Sequence, residues 1–323
     1  MARPFTNSGL DYAGPFSLKT WKGRAARTYK SYIAIFVCMA TSAVHIELVT
    51  DYSSSAFIAA FKRFTGRRGI CSTLYSDCGT NFVGANAELR RLFDSTSSEL
   101  KEIAALILNN GTEWKFNPPA APHFGETVLT YEEMSTVLIQ IESTLNTRPL
   151  CPITEDITDS SALTPGHILT GGSLAIIPEP DLTREPTSRL TRWQMLKQLL
   201  DKFWKRWSTE CLQRYQAKSK WHHPSHVLKV GSMVLVIDER YPPGKWPLAR
   251  VTQVHPGNDG LIRVVTLKTA SSEFKRPITK VCILPMDANK NSSTKSFVEG
   301  GREMLRDSKI QNERADSAST AKS

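Results

Sequence analysis

The chain has 323 residues, 40% of them apolar and 22% charged, with a formal net charge of +10. That length holds two domains with buried cores, and the composition excludes fibrous and largely disordered chains. No apolar run approaches membrane-spanning length, so no membrane partner is expected; six cysteines without a C-x-x-C pair, and no secretory leader, point to a reduced intracellular compartment, nuclear or cytoplasmic, without structural zinc or disulfides.

The charge is unevenly spread. Residues 1–188 carry 16 Lys/Arg against 19 Asp/Glu, residues 189–290 carry 19 against 7, and residues 291–323 carry 6 against 5. A block as basic as 189–290 attracts polyanions by releasing condensed counterions, which makes nucleic acid the expected partner. A solvated basic face with no ligand is the simpler alternative.

Residues 2–18 read as a first strand, carried by Phe5, Leu10, Tyr12 and Phe16, with Asp11 inside it. Acids are depleted in strands, so Asp11 asks for a reason beyond packing. A basic loop over 21–28 follows, then residues 32–40, apolar on both faces as a central strand should be, and a third strand over 43–49. Two short links joining three strands predict an antiparallel meander, unlike the alternating pattern of a dinucleotide-binding fold. Ser53, Ser54 and Ser55 offer a cap for a helix in which Phe57, Ile58, Phe61 and Phe64 recur at helical spacing before Gly66 and Gly69.

Residues 71–75 form a fourth strand, and reaching it through a helix implies that it lies parallel to a neighbour. It delivers Asp77; Gly79 lets the chain turn, and Thr80 or Asn81 can cap a following helix, so Asp77 would project into the crevice where α/β sheets keep their chemistry. Taken alone, an Asp ahead of a Gly is also a common turn-former. Helices are expected over 84–96 and 98–109, a fifth short strand over 112–117, and a helix over 131–146 whose stripe of Met134, Leu138, Ile141 and Leu145 belongs to the core.

Residues 147–188, rich in Pro, Thr, Ser and Gly, read as a long irregular linker or lid. A long amphipathic helix over 189–218 places Trp193, Leu196, Leu200, Phe203, Trp207 and Cys211 on one stripe, packing its tryptophans on a neighbouring domain; a coiled-coil or partner-binding helix is the alternative. His222, His223 and His226 lack a Cys or acidic partner nearby and suit a linker better than a metal site. Apolar runs at 233–236, 248–251, 262–267 and 281–284, separated by Pro/Gly turns, predict a small all-β barrel. Residues 288–323 are polar, low in aromatics and expected to be a disordered tail.

Asp11 and Asp77 approach closely if the first and fourth strands pair. Carboxylates that close repel unless a cation lies between them; magnesium or manganese takes oxygen ligands, and two such ions clamp the attacking and leaving oxygens of an in-line phosphoryl displacement. Such a site wants a third carboxylate. Beside a basic segment, it points to phosphodiester chemistry on nucleic acid.

Asp11-Tyr12-Ala13-Gly14-Pro15-Phe16, Tyr75-Ser76-Asp77-Cys78-Gly79-Thr80-Asn81-Phe82, Asn117-Pro118-Pro119-Ala120-Ala121-Pro122-His123-Phe124-Gly125 and Leu145-Asn146-Thr147-Arg148-Pro149-Leu150 resemble the integrase part of the polyprotein of Bel/Pao-type retrotransposons. The resemblance runs to about residue 286. It implies an α/β, ribonuclease-H-like core over 1–150, a mixed five-stranded sheet with helices. A linker over 151–188 would follow, then a long helix plus a basic, DNA-binding barrel over 189–287. Asp11 and Asp77 match the first two acids of the family's Asp, Asp, Glu triad, which makes them catalytic residues and ligands for Mg2+ or Mn2+. The partners implied are double-stranded DNA ends and target, and further copies of the chain.

Two departures from that family pattern matter. The family's N-terminal zinc-binding region is expected to be missing. In the family, Pro-His-Phe-Gly also leads into a helix that begins Gly-Leu-Trp-Glu and carries the third acid, whereas here Gly125 is followed at once by Glu126-Thr127-Val128-Leu129-Thr130-Tyr131. Glu126, at the start of an extended connection, lacks the helical support that positions a ligand. The expectation is a DNA-integration protein by descent, a polynucleotidyl transferase that has lost strand transfer. The alternatives are a non-catalytic or host-adopted DNA-binding protein, and a nuclease of the same fold.

Overall fold

A computed structural model describes residues 3–76, 128–154, 156, 159–174, 176–177, 179–220, 228–238, 241–258 and 260–284. Strands β1 (Asn7–Lys19), β2 (Thr28–Cys38) and β3 (Val44–Val49) form the expected antiparallel meander, paired from Ser8↔Cys38 to Lys19↔Thr28 and from Tyr32↔Val49 to Val37↔Val44. The next element, α1 (Ser54–Arg68), starts where the Ser53 hydroxyl accepts from the Ala56 amide and stops at Gly69, whose φ of 79° is open to glycine. Phe57, Ile58, Phe61 and Phe64 of α1 pack with Phe5, Leu10, Ala34 and Phe36 on one face of the sheet; the Phe36 and Phe64 rings stack 4.1 Å apart. The chain then enters β4 (Thr73–Tyr75), parallel to β1 with Asn7↔Thr73, Ser8↔Leu74 and Gly9↔Tyr75.

The fifth strand of this mixed sheet among the described residues is β5 (Leu129–Thr130), which pairs in parallel with the far end of β1 through Leu18↔Leu129 and Lys19↔Thr130. Two residues are too few to show a strand period. The strand expected over 112–117 and the helices over 84–96 and 98–109 lie outside the described residues. Between its two parallel partners β1 is bent by a register shift between Ala13 and Phe16, at Gly14-Pro15. Proline in an interior strand is tolerated at such a bulge, where its missing N–H breaks no ladder bond.

Thr130 caps the following helix, α2 (Tyr131–Asn146), in a reciprocal box with Glu133. Met134, Val137, Leu138 and Ile141 bury against the second face of the sheet, with Ala13, Leu18, Ile33 and Ile46. Side chains of both helices close the free edge of β3. The Asn146 amide accepts from the Val44 N–H (2.9 Å) and donates to its C=O (2.8 Å). Glu142 accepts from the Ile46 N–H (2.8 Å), and Arg63 of α1 donates to the Leu48 C=O (2.8 Å). Unsatisfied edge groups are thereby paired and further strand addition is blocked.

A buried ionic cluster lies at the same edge. His45, 1% exposed, sits between Glu47 (2.9 Å) and Glu142 (3.3 Å); Arg63 and Arg67 hold Glu47, and Arg68 holds Glu142 at 2.6 Å. Burial works against the charge on His45, but its two carboxylate partners outweigh it and raise the imidazole above its ordinary value. Burial likewise pushes both carboxyls up, and His45 with the arginines more than reverses it, holding Glu47 and Glu142 below the usual carboxylate range.

Residues 147–191 hold two short paired strands, β6 (Cys151–Pro152) and β7 (Ala162–Leu163), and the helix α3 (Pro165–Thr170). The long helix α4 (Arg192–Lys220) buries Leu196, Leu200, Phe203, Trp204 and Trp207 in the core that α2 shares with the sheet. Trp193 departs from the expected stripe and is 57% exposed. The buried stripe begins one turn later. Thr191 and Gln194 cap the helix start reciprocally, and Arg192 in its first turn makes two hydrogen bonds to Glu133, at 2.8 and 2.7 Å. That fork, aided by the cap at Thr130 and opposed by burial, pulls the Glu133 carboxyl down to about 2.

The second sheet is antiparallel, in the order β11-β10-β9-β8-β12, built from β8 (Met233–Val236), β9 (Leu248–Pro256), β10 (Ile262–Lys268), β11 (Glu273–Pro277) and β12 (Val281–Ile283). Four of these strands coincide with the apolar runs of the sequence. The exception, β11, reads Glu-Phe-Lys-Arg-Pro, a charged edge strand that carries no hydrophobic run. Arg250 on β9 is 1% exposed and donates to the carbonyls of Asp159, Gly231 and Thr154. It thus ties the 147–191 segment to this sheet, and both sheets lie in one compact unit, Met1–Leu284.

Two expectations follow. Because the His45 value is raised in the fold, its stabilisation is complete below about pH 6.5 and is lost as pH rises through the folded value. The lowered Glu47 and Glu142 contribute above about pH 4.5 and lose that contribution as pH falls through their folded values. His45→Gln should therefore cost about 3–5 kcal/mol near pH 6, and the gap from wild type in urea unfolding should narrow as pH rises. Arg192→Ala should cost about 2–3 kcal/mol, below the value for a fully buried pair because the arginine is about a third exposed. That gap should shrink as pH falls from 4.5 towards 2, where Glu133 takes up its proton.

Candidate metal-binding strand and nucleic-acid interface

Asp11 lies on β1 opposite Ile35 of β2. Alternation along the strand puts it on the face with Ala13, Ile33 and Ile35, the face that α2 and α4 cover. It is half-buried, and one of its oxygens accepts from the Tyr12 amide at 2.8 Å. The last described pair between β1 and β4 is Gly9↔Tyr75. Asp11 stands two residues beyond Gly9, about 6–7 Å along the strand, and Asp77 follows Tyr75 by two residues in the sequence. Asp77 itself lies outside the described residues, as do Glu126 and His222, His223 and His226. Along that edge of β1, β4 pairs at Asn7–Gly9 and β5 at Leu18–Lys19.

Among the described residues no three His, Cys, Asp or Glu side chains gather as a metal site. Asp11 supplies one carboxylate, of the oxygen type that a hard cation takes. The acids that do gather, Glu47 and Glu142, are consumed by His45 and three arginines and belong to the β3 edge. No element of sequence spacing marks that cluster, since its partners come from β3, α1 and α2. The Glu133–Arg192 fork leaves a fainter trace, because Thr130 and Glu133 have capping-box spacing.

In the C-terminal sheet the basic character is at the surface. Lys229, Lys245, Arg263, Lys268, Lys275 and Lys280 are exposed, whereas Arg250 is the buried tie described above. On α4, Lys205 is paired with Asp181 and Arg206 with Glu210, so part of that helix's charge is already used within the chain. Flexible cations on a small sheet can contact phosphates without reading bases.

Comparison with known proteins gives little beyond this geometry. Residues 191–284, which span α4 and the C-terminal sheet, match a family of unknown function, DUF5641. No curated protein matches the chain. A solved structure, the cryo-EM structure of the simian T-cell lymphotropic virus intasome in complex with PP2A regulatory subunit B56 gamma, is similar at 12% identity, covering 88% of this chain and 80% of that one, with a TM-score of 0.28. A superposition that loose carries nothing over to this chain.

Proposed function

We propose that this chain is the core and C-terminal part of a retrotransposon-derived integrase, a DNA-binding protein whose intact relatives join DNA ends by metal-dependent phosphoryl transfer. The observation that carries the proposal is the placement of Asp11. It stands on the central strand of a mixed sheet, two residues past its pairing with the parallel strand that leads in sequence to Asp77. A meander, a crossover helix and a parallel strand beside β1 form the order that a ribonuclease-H-like core requires. Asp11 and Asp77 would hold Mg2+ or Mn2+ there, the ion supplying charge neutralisation at a phosphoryl group.

The C-terminal sheet fits a small barrel. Strands β11 and β12 occupy opposite ends of its order yet are joined by only three residues, Ile278–Lys280. Four strand spacings of about 4.8 Å would put the edges of a flat sheet about 19 Å apart, while the chain from Pro277 to Val281 reaches at most about 14 Å. The sheet must curl towards closure. We assign DNA contact to this basic barrel and the helix before it, 189–287, with 1–150 as the core, 151–188 as its connection and 288–323 as a tail. Copies of the chain would pair on DNA, in the nucleus or after synthesis in the cytoplasm.

The missing Gly-Leu-Trp-Glu helix favours a DNA-binding protein that no longer performs strand transfer. Removing one catalytic group commonly costs several powers of ten in rate. With Mn2+ and duplex DNA ends, the chain should bind with affinity that falls steeply as salt rises, and should give no joined product. Inserting the relatives' helix after Gly125 should restore product, and Asp11→Asn or Asp77→Asn in that restored chain should abolish it. Salt-insensitive or absent duplex binding, together with no product from the restored chain, would reject the integrase assignment.

A further inference from the structure

The turn between β1 and β2 brings exposed aromatic rings and basic side chains to one surface. Two backbone bonds close it, from the Thr20 N–H to the Arg27 C=O at 3.0 Å and from the Ala26 N–H to the Gly23 C=O at 3.3 Å. The Trp21 ring, 55% exposed, folds onto Gly23 so closely that a Cβ there would lie 1.7 Å from it. Beside it, the Lys22 ammonium stands 5.7 Å from the centroid of Trp193, itself 57% exposed at the start of α4. Tyr131, at the first residue of α2, adds a third partly exposed ring. Arg24 and Arg27 are exposed on the same turn.

The charge balance favours an anionic partner. Residues 12–46 contain no Asp or Glu. Two acids stand near Lys22: Glu133 is already held by Arg192, and Glu132, 4.0 Å from the ammonium, is exposed. Large exposed rings interleaved with cations match unpaired nucleotides, whose bases stack on aromatic faces while their phosphates meet Lys and Arg. A duplex hides its base faces and gains nothing from the rings.

We propose that this surface binds single-stranded DNA, with Trp21 and Trp193 stacking on bases and Lys22, Arg24 and Arg27 contacting phosphates. The choice of DNA over RNA rests on the integrase assignment; the stacking site itself does not.

The test is fluorescence anisotropy of the full chain with oligo(dT), oligo(U) and a duplex of equal length. Trp21→Ala and Trp193→Ala should each weaken oligo(dT) binding roughly tenfold, with most of the affinity returning in the Phe variants. Duplex binding should change less than about twofold. Both rings are exposed, so thermal melting of the variants should match wild type. Arg24→Ala with Arg27→Ala should flatten the salt dependence of oligo(dT) binding. Unchanged oligo(dT) affinity, or equal losses on single strand and duplex, would overturn the proposal, and a tenfold preference for oligo(U) would overturn the choice of DNA. If duplex binding is absent and the restored chain gives no product while the oligo(dT) losses are as stated, the integrase assignment falls and this site stands; the reverse pattern does the opposite.

Discussion

The free edge of β3 is the constraint on which the rest of the first sheet depends. An edge strand leaves a row of N–H and C=O groups that must find partners or water. Here they are met by Asn146 and Glu142 from one helix and Arg63 from the other, around a histidine buried between two carboxylates. The two helices lie on opposite faces of the sheet, so one cluster fastens both. Their positions decide where the chain re-enters: α1 leads to β4 and β5 leads into α2, and both strands pair with β1. A charge cluster this buried contributes little net stability as a whole, but losing one member strands the others, so its main effect is to fix geometry.

Geometry is what the proposed chemistry needs. Asp11 sits on a strand held along one edge by β2 and on the other by two separate parallel strands, with the bulge at Gly14-Pro15 between them. A carboxylate on so constrained a backbone is suited to meeting a second one, since two such groups gain from proximity only with a cation between them. The C-terminal half is fastened just as firmly. The Glu133–Arg192 fork ties the first turn of α4 to α2, Trp204 and Trp207 meet Trp246 edge to face, and Arg250 binds three carbonyls. Under the proposed function, a basic sheet bound to the core in this way would hold DNA at a defined place relative to β1.

Much of this was legible in the residues. The meander, the serine-capped crossover helix, the parallel return beside β1 and the stripe of α2 follow from period, caps and connection length. The remainder depended on partners distant in sequence. His45, Glu47 and Glu142 read singly as ordinary polar positions. A two-residue strand has no period, β11 has no apolar run, and Arg250 gives no sign that it is buried. Asn146 and Arg148, within the family-like motif, do structural work in the fold, Asn146 on Val44 and Arg148 on the carbonyls of Ser42 and Leu145. Trp193, expected in the buried stripe, is at the surface, and the buried side chains begin at Leu196. Asp11 was the legible half of the candidate site: an acid inside an apolar strand.

The central claim is that Asp11 and Asp77 share one cation. Titration of the intact chain with Mn2+, followed by electron paramagnetic resonance of the free ion, tests it most directly. The account predicts a site that Asp11→Asn and Asp77→Asn each abolish, with the double variant losing no more than either alone. Wild-type Mn2+ binding in the Asp11→Asn chain, or independent additive losses, would contradict it.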